Sequence, residues 1–262
     1  MAALLKSSKE IAQLREAGRI VAETYEMLRS YIVPGVTTGE LDRIAEDYIR
    51  SKGAEPIYKG YGAKSARNGR PPISPFPGTI CVAVNDVICH GIPSMQEQLQ
   101  EGDIIGIDIG VLYQGWVGDA CVTFGVGKLA SQTQQLLEVA KRCLELGIEQ
   151  ARPKKRLGDI GAAIQEYAEA QGFSTVREWY GHGVGRSLHE DPGVPHFGRP
   201  STGLRIQRGM VFTIEPMINA GGPETRVMSD LWTVKTADGS LSAQFEHSLA
   251  ITDGEPEILT VL

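Results

Sequence analysis

The sequence predicts an α+β fold made of two similar halves, in each of which a pair of helices packs on antiparallel strands. Two observations lead to this prediction: a helix pair recurs at an offset of 119 residues, and a strand-like segment ending on a carboxylate recurs at an offset of 107. The 262 residues, 42% of them hydrophobic, are enough for a sizeable core. We expect a single domain over 1–262, with pseudo-symmetric halves at about 8–127 and 131–252.

The first helix pair is marked by its caps. Ser7 and Glu10 have capping-box spacing ahead of an apolar stripe, which predicts a helix from about Ser8 to Tyr31. A proline and a glycine then break the helix. A second helix is expected from near Thr37, where Glu40 has the same spacing, to a glycine that suits the position after a helix end.

The second helix pair repeats this pattern. One helix is predicted over about Gln132 to Gln150, and another runs from about Leu157 to Gly172 after a proline break. The two pairs align without gaps, and the matched residues are Pro34 with Pro153, Gly39 with Gly158, Glu40 with Asp159, Leu41 with Ile160, Tyr48 with Tyr167 and Gly53 with Gly172.

Strand-like segments follow each helix pair in the same order. Leu99–Asp108 aligns with Ile206–Glu215, and a looser match sets Asp119–Phe124 beside Glu246–Ile251. The two offsets differ by 12 residues, which we assign to a surface loop inserted at about 63–75, a stretch rich in proline, glycine and basic residues. Short matches also arise by chance, but two blocks in one order with matched acids favour a repeat.

Composition narrows the class of protein. No apolar stretch is long enough to cross a membrane, and the N-terminal residues do not form a signal peptide. The net charge of −6 argues against a nucleic-acid-binding protein, DNA-binding proteins included, and leaves open only a local basic patch. The four cysteines lack a CxxC or a secreted-type framework, so we expect free thiols and a cytoplasmic protein. These cysteines are Cys81, Cys89, Cys121 and Cys143.

Four acids lie in or at the edges of apolar strand-like runs, two from each predicted half. They are Asp108, Asp119, Glu215 and Glu246, and each would be costly to bury unless it is paired or binds a cation. With His182, in a glycine-rich segment, they predict a site for two divalent ions that serves hydrolysis. Carboxylates and one imidazole suit Mn, Fe, Co or catalytic Zn. Singly, each residue could instead be an exposed turn or a solvent-facing histidine.

Six motifs place these residues in a recognisable context and together span nearly the whole chain. The sequence resembles methionine aminopeptidase, in its short type I bacterial form. The resemblance implies the pita-bread fold, which agrees with the repeat. The motifs are NDVICHGIP (Asn85 to Pro93), GDIIGIDIG (Gly102 to Gly110), GWVGDACVTF (Gly115 to Phe124), GHGVGRSLHEDP (Gly181 to Pro192), VFTIEPM (Val211 to Met217) and SAQFEHSLAIT (Ser242 to Thr252).

The resemblance also implies catalytic roles. Asp108 and Asp119 would hold one metal, Asp119 and Glu246 would bridge to the second, and His182 and Glu215 would complete its shell. Glu215 would also be the general base for a bridging water. His90 would contact the substrate amine and scissile nitrogen, and His189 the carbonyl oxygen, unless both are buried structural histidines. His196 and His247 match no catalytic position and are taken as structural.

A methionine side chain would need an apolar pocket. By resemblance its walls are Tyr61, Phe76, Cys81, Leu188 and Trp232, although all five could be ordinary core residues. The loop at 63–75 interrupts the segment that supplies the first two, where the family pattern is shorter, and this puts the pocket wall in doubt. The loop cations Lys64, Arg67 and Arg70 could contact the ribosome, but a solvated loop is the favoured explanation.

The implied function is metal-dependent removal of N-terminal methionine from nascent proteins and peptides with a small second residue, by a monomer. X-Pro aminopeptidases and prolidases share the fold and ligands but usually carry a further N-terminal domain. A type II enzyme would have a long insertion between His182 and Glu215, where only 32 residues intervene. A non-enzymatic relative would be expected to have lost ligands, and all five are present.

Overall fold

The helix pairs occur where the sequence predicts them. In this computed structural model, which describes residues 3–63 and 73–262, α1 spans Ser8–Leu28 and continues as a 3₁₀ turn at Arg29–Tyr31. The other three helices are α2 (Thr38–Ser51), α3 (Ser131–Gln150) and α4 (Leu157–Ala170).

Capping hydrogen bonds at the helix N-termini explain why the sequence predicts these boundaries. Both hydrogen bonds of the capping box form at Ser7 with Glu10 and again at Thr37 with Glu40. At the matching place before α4, the Arg156 N–H donates to the Asp159 carboxylate over 2.7 Å.

Fifteen strands among the described residues complete the fold, and every pairing between them is antiparallel. In the first half, β4 pairs with β1, β2 and β5; the second half contains the sheet β15-β14-β9-β7-β8. Two three-stranded sheets, β13-β10-β6 and β11-β12-β3, complete the set. The strands are β1 (Glu55–Pro56), β2 (Cys81–Val84), β3 (Val87–Cys89), β4 (Ile104–Tyr113), β5 (Trp116–Gly125), β6 (Ser174–Thr175), β7 (Gly181–Gly183), β8 (Glu190–Val194), β9 (Val211–Ile214), β10 (Met217–Asn219), β11 (Thr225–Val227), β12 (Val234–Thr236), β13 (Ser242–Gln244), β14 (His247–Ala250) and β15 (Glu257–Ile258).

The repeat extends to individual hydrogen bonds. In the first half the Leu99 N–H donates to the carbonyl of Val36, and in the second half the Ile206 N–H donates to the carbonyl of Lys155. These four residues correspond under the offsets of 107 and 119. The two halves therefore share the way in which a helix pair is joined to its strand, as the sequence predicts.

Each half has its own apolar core, and the halves meet along β5. One core joins α1 and α2 to β4 and β5, and the other joins α3 and α4 to strands of the second half. Across the junction, the Glu246 N–H donates to the Cys121 carbonyl and the Ser248 hydroxyl donates to the Asp119 carbonyl. Side chains on the inner face of β5 consequently lie between the two halves.

None of the helices in the described ranges is long and apolar enough to cross a membrane. Most of the loop predicted at 63–75, including Lys64, Arg67 and Arg70, lies outside the described residues. A single domain over 1–262 stays a prediction.

Candidate metal centre

The first half supplies two aspartates from one hairpin. A two-residue turn at Gln114 and Gly115, both with positive φ, joins β4 to β5 and sets their register. Asp108 pairs with Cys121, and Asp119 pairs with Gly110, two positions along, so both carboxylates project from the same face. Asp119 lies inside β5, whereas the sequence placed it at the start of a strand.

The second half brings three ligands to the same place. His182 lies in β7, Glu215 directly follows β9, and Glu246 directly precedes β14, which pairs with β9. Ligand atoms of Asp119, His182 and Glu246 all lie within 4.8 Å of one another. The Nε2 atom of His182 is 3.5 Å from Asp119 Oδ2 and 3.6 Å from Glu215 Oε1.

Asp108 joins the cluster through a residue that sequence reasoning missed. The Tyr58 hydroxyl lies within hydrogen-bond distance of both Asp108 Oδ1 and Asp119 Oδ1. Its ring approaches Gly110 so closely that an added Cβ there would lie 2.7 Å from the ring. A glycine within an apolar strand indicates such a close approach, and Gly110 was the one available signal for Tyr58.

Burial and mutual repulsion make the four acids poor sites for negative charge in the absence of a cation. Burial, followed by the Asp119 charge, raises the pKa of both Asp108 and Glu246 well above the usual range. Burial also raises the pKa values of Asp119 and Glu215. His182 lowers both of them, but by less than burial raises them. The cluster is thus arranged so that bound cations would stabilise its ionised form.

The donor set fits divalent ions. Glu246 is only 2% exposed, and its Oε1 atom has no hydrogen-bond partner among the described residues, which would be costly for a buried carboxylate without a cation. Four carboxylates and one imidazole match the ligand preferences of Mn, Fe, Co and catalytic Zn.

Neighbouring polar groups orient the second-half ligands. The Thr213 hydroxyl accepts a hydrogen bond from the His182 N–H and donates one to Glu215 Oε1. The Gln244 amide donates to Glu215 Oε2 over 3.3 Å, and the Glu215 N–H donates to His196 Nε2 over 3.1 Å. His196, assigned a structural role from the sequence, therefore supports the backbone of a candidate ligand.

A cavity of about 550 Å³ opens onto this cluster. Its lining includes all five candidate ligands, His90 and His189, and all five predicted pocket-wall residues. Residues that the sequence did not predict also line it, among them Tyr58, Cys89, Trp179 and Met217.

The inserted loop leaves the cavity wall in place. The Phe76 N–H donates to the Tyr61 carbonyl, and the Gly60 N–H donates to the Phe76 carbonyl, so the chain returns beside the point where it leaves. Phe76 packs edge-on against Trp232 with ring centroids 5.4 Å apart. Tyr61 and Phe76 thus both line the cavity despite the loop between them, and their role as walls for a methionine side chain stays a prediction.

The two candidate catalytic histidines are uncharged. Burial, with the nearby His182, lowers the pKa of His90 to about 4 and that of His189 to about 3. His90 packs against the Trp179 ring with centroids 4.9 Å apart. The Tyr61 hydroxyl lies 2.6 Å from His189 Nδ1, which leaves Nε2 of that ring as its other hydrogen-bonding atom.

A carboxylate-rich cluster between two alike halves, beside a partly apolar cavity, defines a metal-dependent hydrolase. The model of metallopeptidase family M24 matches residues 12–253. The chain therefore belongs to metallopeptidase family M24.

Similarity to two bacterial enzymes places the chain, within that family, among the methionine aminopeptidases. Methionine aminopeptidase 1 of Bacillus subtilis is 48% identical over 257 residues, covering 98% of each chain, and methionine aminopeptidase of Salmonella typhimurium is 47% identical over 262 residues, covering 100% of this chain and 95% of that one. The crystal structure of methionine aminopeptidase from Rickettsia prowazekii superposes with a TM-score of 0.93 at 40% identity, over 99% of this chain and 100% of that chain.

More distant structures share the fold alone. The prolidase from Pyrococcus horikoshii superposes with a TM-score of 0.75 at 22% identity, over 98% of this chain and 63% of that chain. The predicted pita-bread fold is thereby confirmed.

Proposed function

We propose that this protein is a metal-dependent aminopeptidase that removes the N-terminal methionine of nascent proteins and peptides. The observation that carries the proposal is one cavity lined both by the five candidate ligands and by the apolar side chains that could enclose a thioether. The extent of similarity to methionine aminopeptidases, over 98% of each chain for the B. subtilis enzyme, supports the same conclusion.

The candidate ligands for two divalent ions are Asp108, Asp119, His182, Glu215 and Glu246. When bound, such ions would polarise the scissile carbonyl and lower the pKa of a water molecule, which supplies a nucleophile at neutral pH. The remaining chemistry belongs to side chains that hold the substrate and move protons.

Glu215 is placed to act as the general base. Thr213 and Gln244 donate hydrogen bonds to its two carboxylate oxygens and thereby fix their orientation toward the cavity. As a carboxylate it can take a proton from the attacking water and pass it to the leaving amine.

His189 is placed to stabilise the carbonyl oxygen. If the Tyr61 hydroxyl donates to Nδ1, the single proton of the neutral imidazole is on Nε2, which then donates to the developing oxyanion. His90, held by the edge of Trp179, contributes a neutral imidazole to the scissile nitrogen and substrate amine.

Cavity shape supports the expected specificity. Tyr61, Phe76, Cys81, Leu188 and Trp232 form the walls that would enclose a methionine side chain. Trp179, which packs against His90, and Met217 also line the cavity. We expect a small second residue in the substrate, because the candidate ligands and both histidines share this space with it.

A substrate panel tests the assignment. The Mn²⁺-loaded protein is expected to release methionine from Met-Ala-type peptides, to act at least about 100-fold more slowly when the second residue is bulky, and to leave N-acetylated controls intact. Comparable cleavage of X-Pro peptides that lack methionine would move the assignment to the prolidase-like alternative. No turnover of any peptide by the metal-loaded protein would favour a binding protein that keeps the fold.

Further attributes remain proposals. We infer that the protein acts as a cytoplasmic monomer; its four cysteines are free and buried, which agrees with a reducing compartment. Ribosome contact through Lys64, Arg67 and Arg70 stays an untested alternative to the favoured solvated loop, because those residues lie outside the described ranges.

A further inference from the structure

One carboxylate organises the loop that carries His189. The segment from Gly185 to Glu190 joins β7 to β8 and presents Leu188 and His189 to the cavity. Glu190 Oε1 accepts hydrogen bonds from the backbone N–H groups of Arg186 and Ser187, at 2.9 and 3.3 Å. Its side chain thus closes the loop on itself, immediately beside the histidine.

The other oxygen of this carboxylate is held by a residue far away in the sequence. Lys6 Nζ lies 2.5 Å from Glu190 Oε2, and the two side chains are only 7% and 12% exposed. A Cβ added at Gly185 would lie 2.5 Å from Glu190 Oε1 and 2.6 Å from Lys6 Nζ. The ion pair is therefore enclosed by the loop backbone.

Lys6 also ties together the two halves. It precedes α1, which packs on the first half, yet its N–H donates to the carbonyl of Gly209, ahead of β9 in the second half. Burial raises the pKa of Glu190, but the opposing effects of Lys6 and the two loop amides are larger. The pKa is therefore lowered overall, and the carboxylate is ionised. Buried pairs of this kind do not need to add stability, but removing one partner leaves a buried charge uncompensated.

We propose that Lys6 is a positioning residue for the reaction: its ammonium fixes Glu190, and Glu190 fixes the loop that aims His189 at the substrate carbonyl. This inference rests on the proposed role of His189. Lys6 lies outside both predicted halves of the repeat and is not among the residues that line the cavity.

The test replaces Lys6 in the metal-loaded protein. Lys6→Met is expected to lower kcat for a Met-Ala-type peptide about 10-fold, in the range found when groups supporting an active-site residue are lost, with KM changed by less than about twofold. Bound metal should be unchanged, and hydrogen exchange should accelerate at the amides of Arg186 and Ser187. Lys52→Met, which removes a lysine from the exposed pair with Glu23, is the matched control and should leave all of these values unchanged.

Coupling to His189 separates positioning from general destabilisation. Lys6→Met should cost no further kcat in a His189→Ala background, because residues that act through one another are not additive. If Lys6→Met folds poorly, Lys6→Met/Glu190→Gln removes both charges and is measured in the same two backgrounds with the same expectation. Two results would overturn the proposal. One is a normal kcat for either Lys6 variant while His189→Ala is impaired. The other is an equally large loss of kcat when the Lys6 variant is made in the His189→Ala background. Normal turnover by His189→Ala would instead refute the role of His189 on which it rests.

Discussion

Glu215→Gln is expected to lower kcat by about 10³-fold while the protein remains folded. Glutamine has nearly the same shape and can still accept the hydrogen bond from the Thr213 hydroxyl. The loss of kcat would therefore have two causes: an amide cannot take up the proton of the attacking water, and it carries no negative charge for a cation. Methionine release, bound metal and the unfolding temperature should be measured on one preparation.

The matched control is Glu178→Gln, which removes a carboxylate that lines the same cavity but accepts a hydrogen bond from Thr225 instead. We expect a change of less than about threefold, as for a group outside the proton path. Near-normal turnover by Glu215→Gln with its metal still bound would exclude the base role.

Asp119→Asn should have the second large effect, through the loss of bound metal. Asp119 is 2% exposed, and its ligand atom lies within 4.8 Å of those of His182 and Glu246. Its loss should therefore reduce metal content and lower turnover by at least about 10³-fold. Methionine release and metal content measured on one sample check this.

Stability would show that this loss is not simple unfolding. The Asp119 charge raises the pKa values of Asp108, Glu215 and Glu246, so removing it relieves repulsion in the metal-free protein. The metal-free variant should then unfold at a temperature equal to or above that of the metal-free parent, but gain little on addition of metal. A normal stabilisation by metal would contradict the assignment of Asp119 as a ligand.

The helices and the repeat could be predicted because their signals are local. Capping boxes, break residues and apolar stripes lie within a few positions of the ends they mark, and the helix boundaries agree to within about three residues. The buried acids were also visible, because a carboxylate in an apolar run needs a partner wherever the strand lies.

Contacts set by tertiary packing could not be predicted in this way. Tyr58 reaches Asp108 only because β1 pairs with β4 next to Gly110, a register that no spacing reveals. Lys6 and Glu190 are 184 positions apart. The cavity walls were predicted by resemblance. The positions of Tyr61 and Phe76 on either side of the loop depend on the backbone hydrogen bond between them, which the sequence does not reveal.

The clustered acids and His182 are proposed to bind the divalent metal that the removal of N-terminal methionine requires. The most direct measurement is the rate of methionine release from a Met-Ala-type peptide after exhaustive chelation and during stepwise return of Mn²⁺, Fe²⁺ or Co²⁺. We expect no release from the metal-free protein and recovery of release as metal is added. Release that survives complete chelation would contradict this expectation.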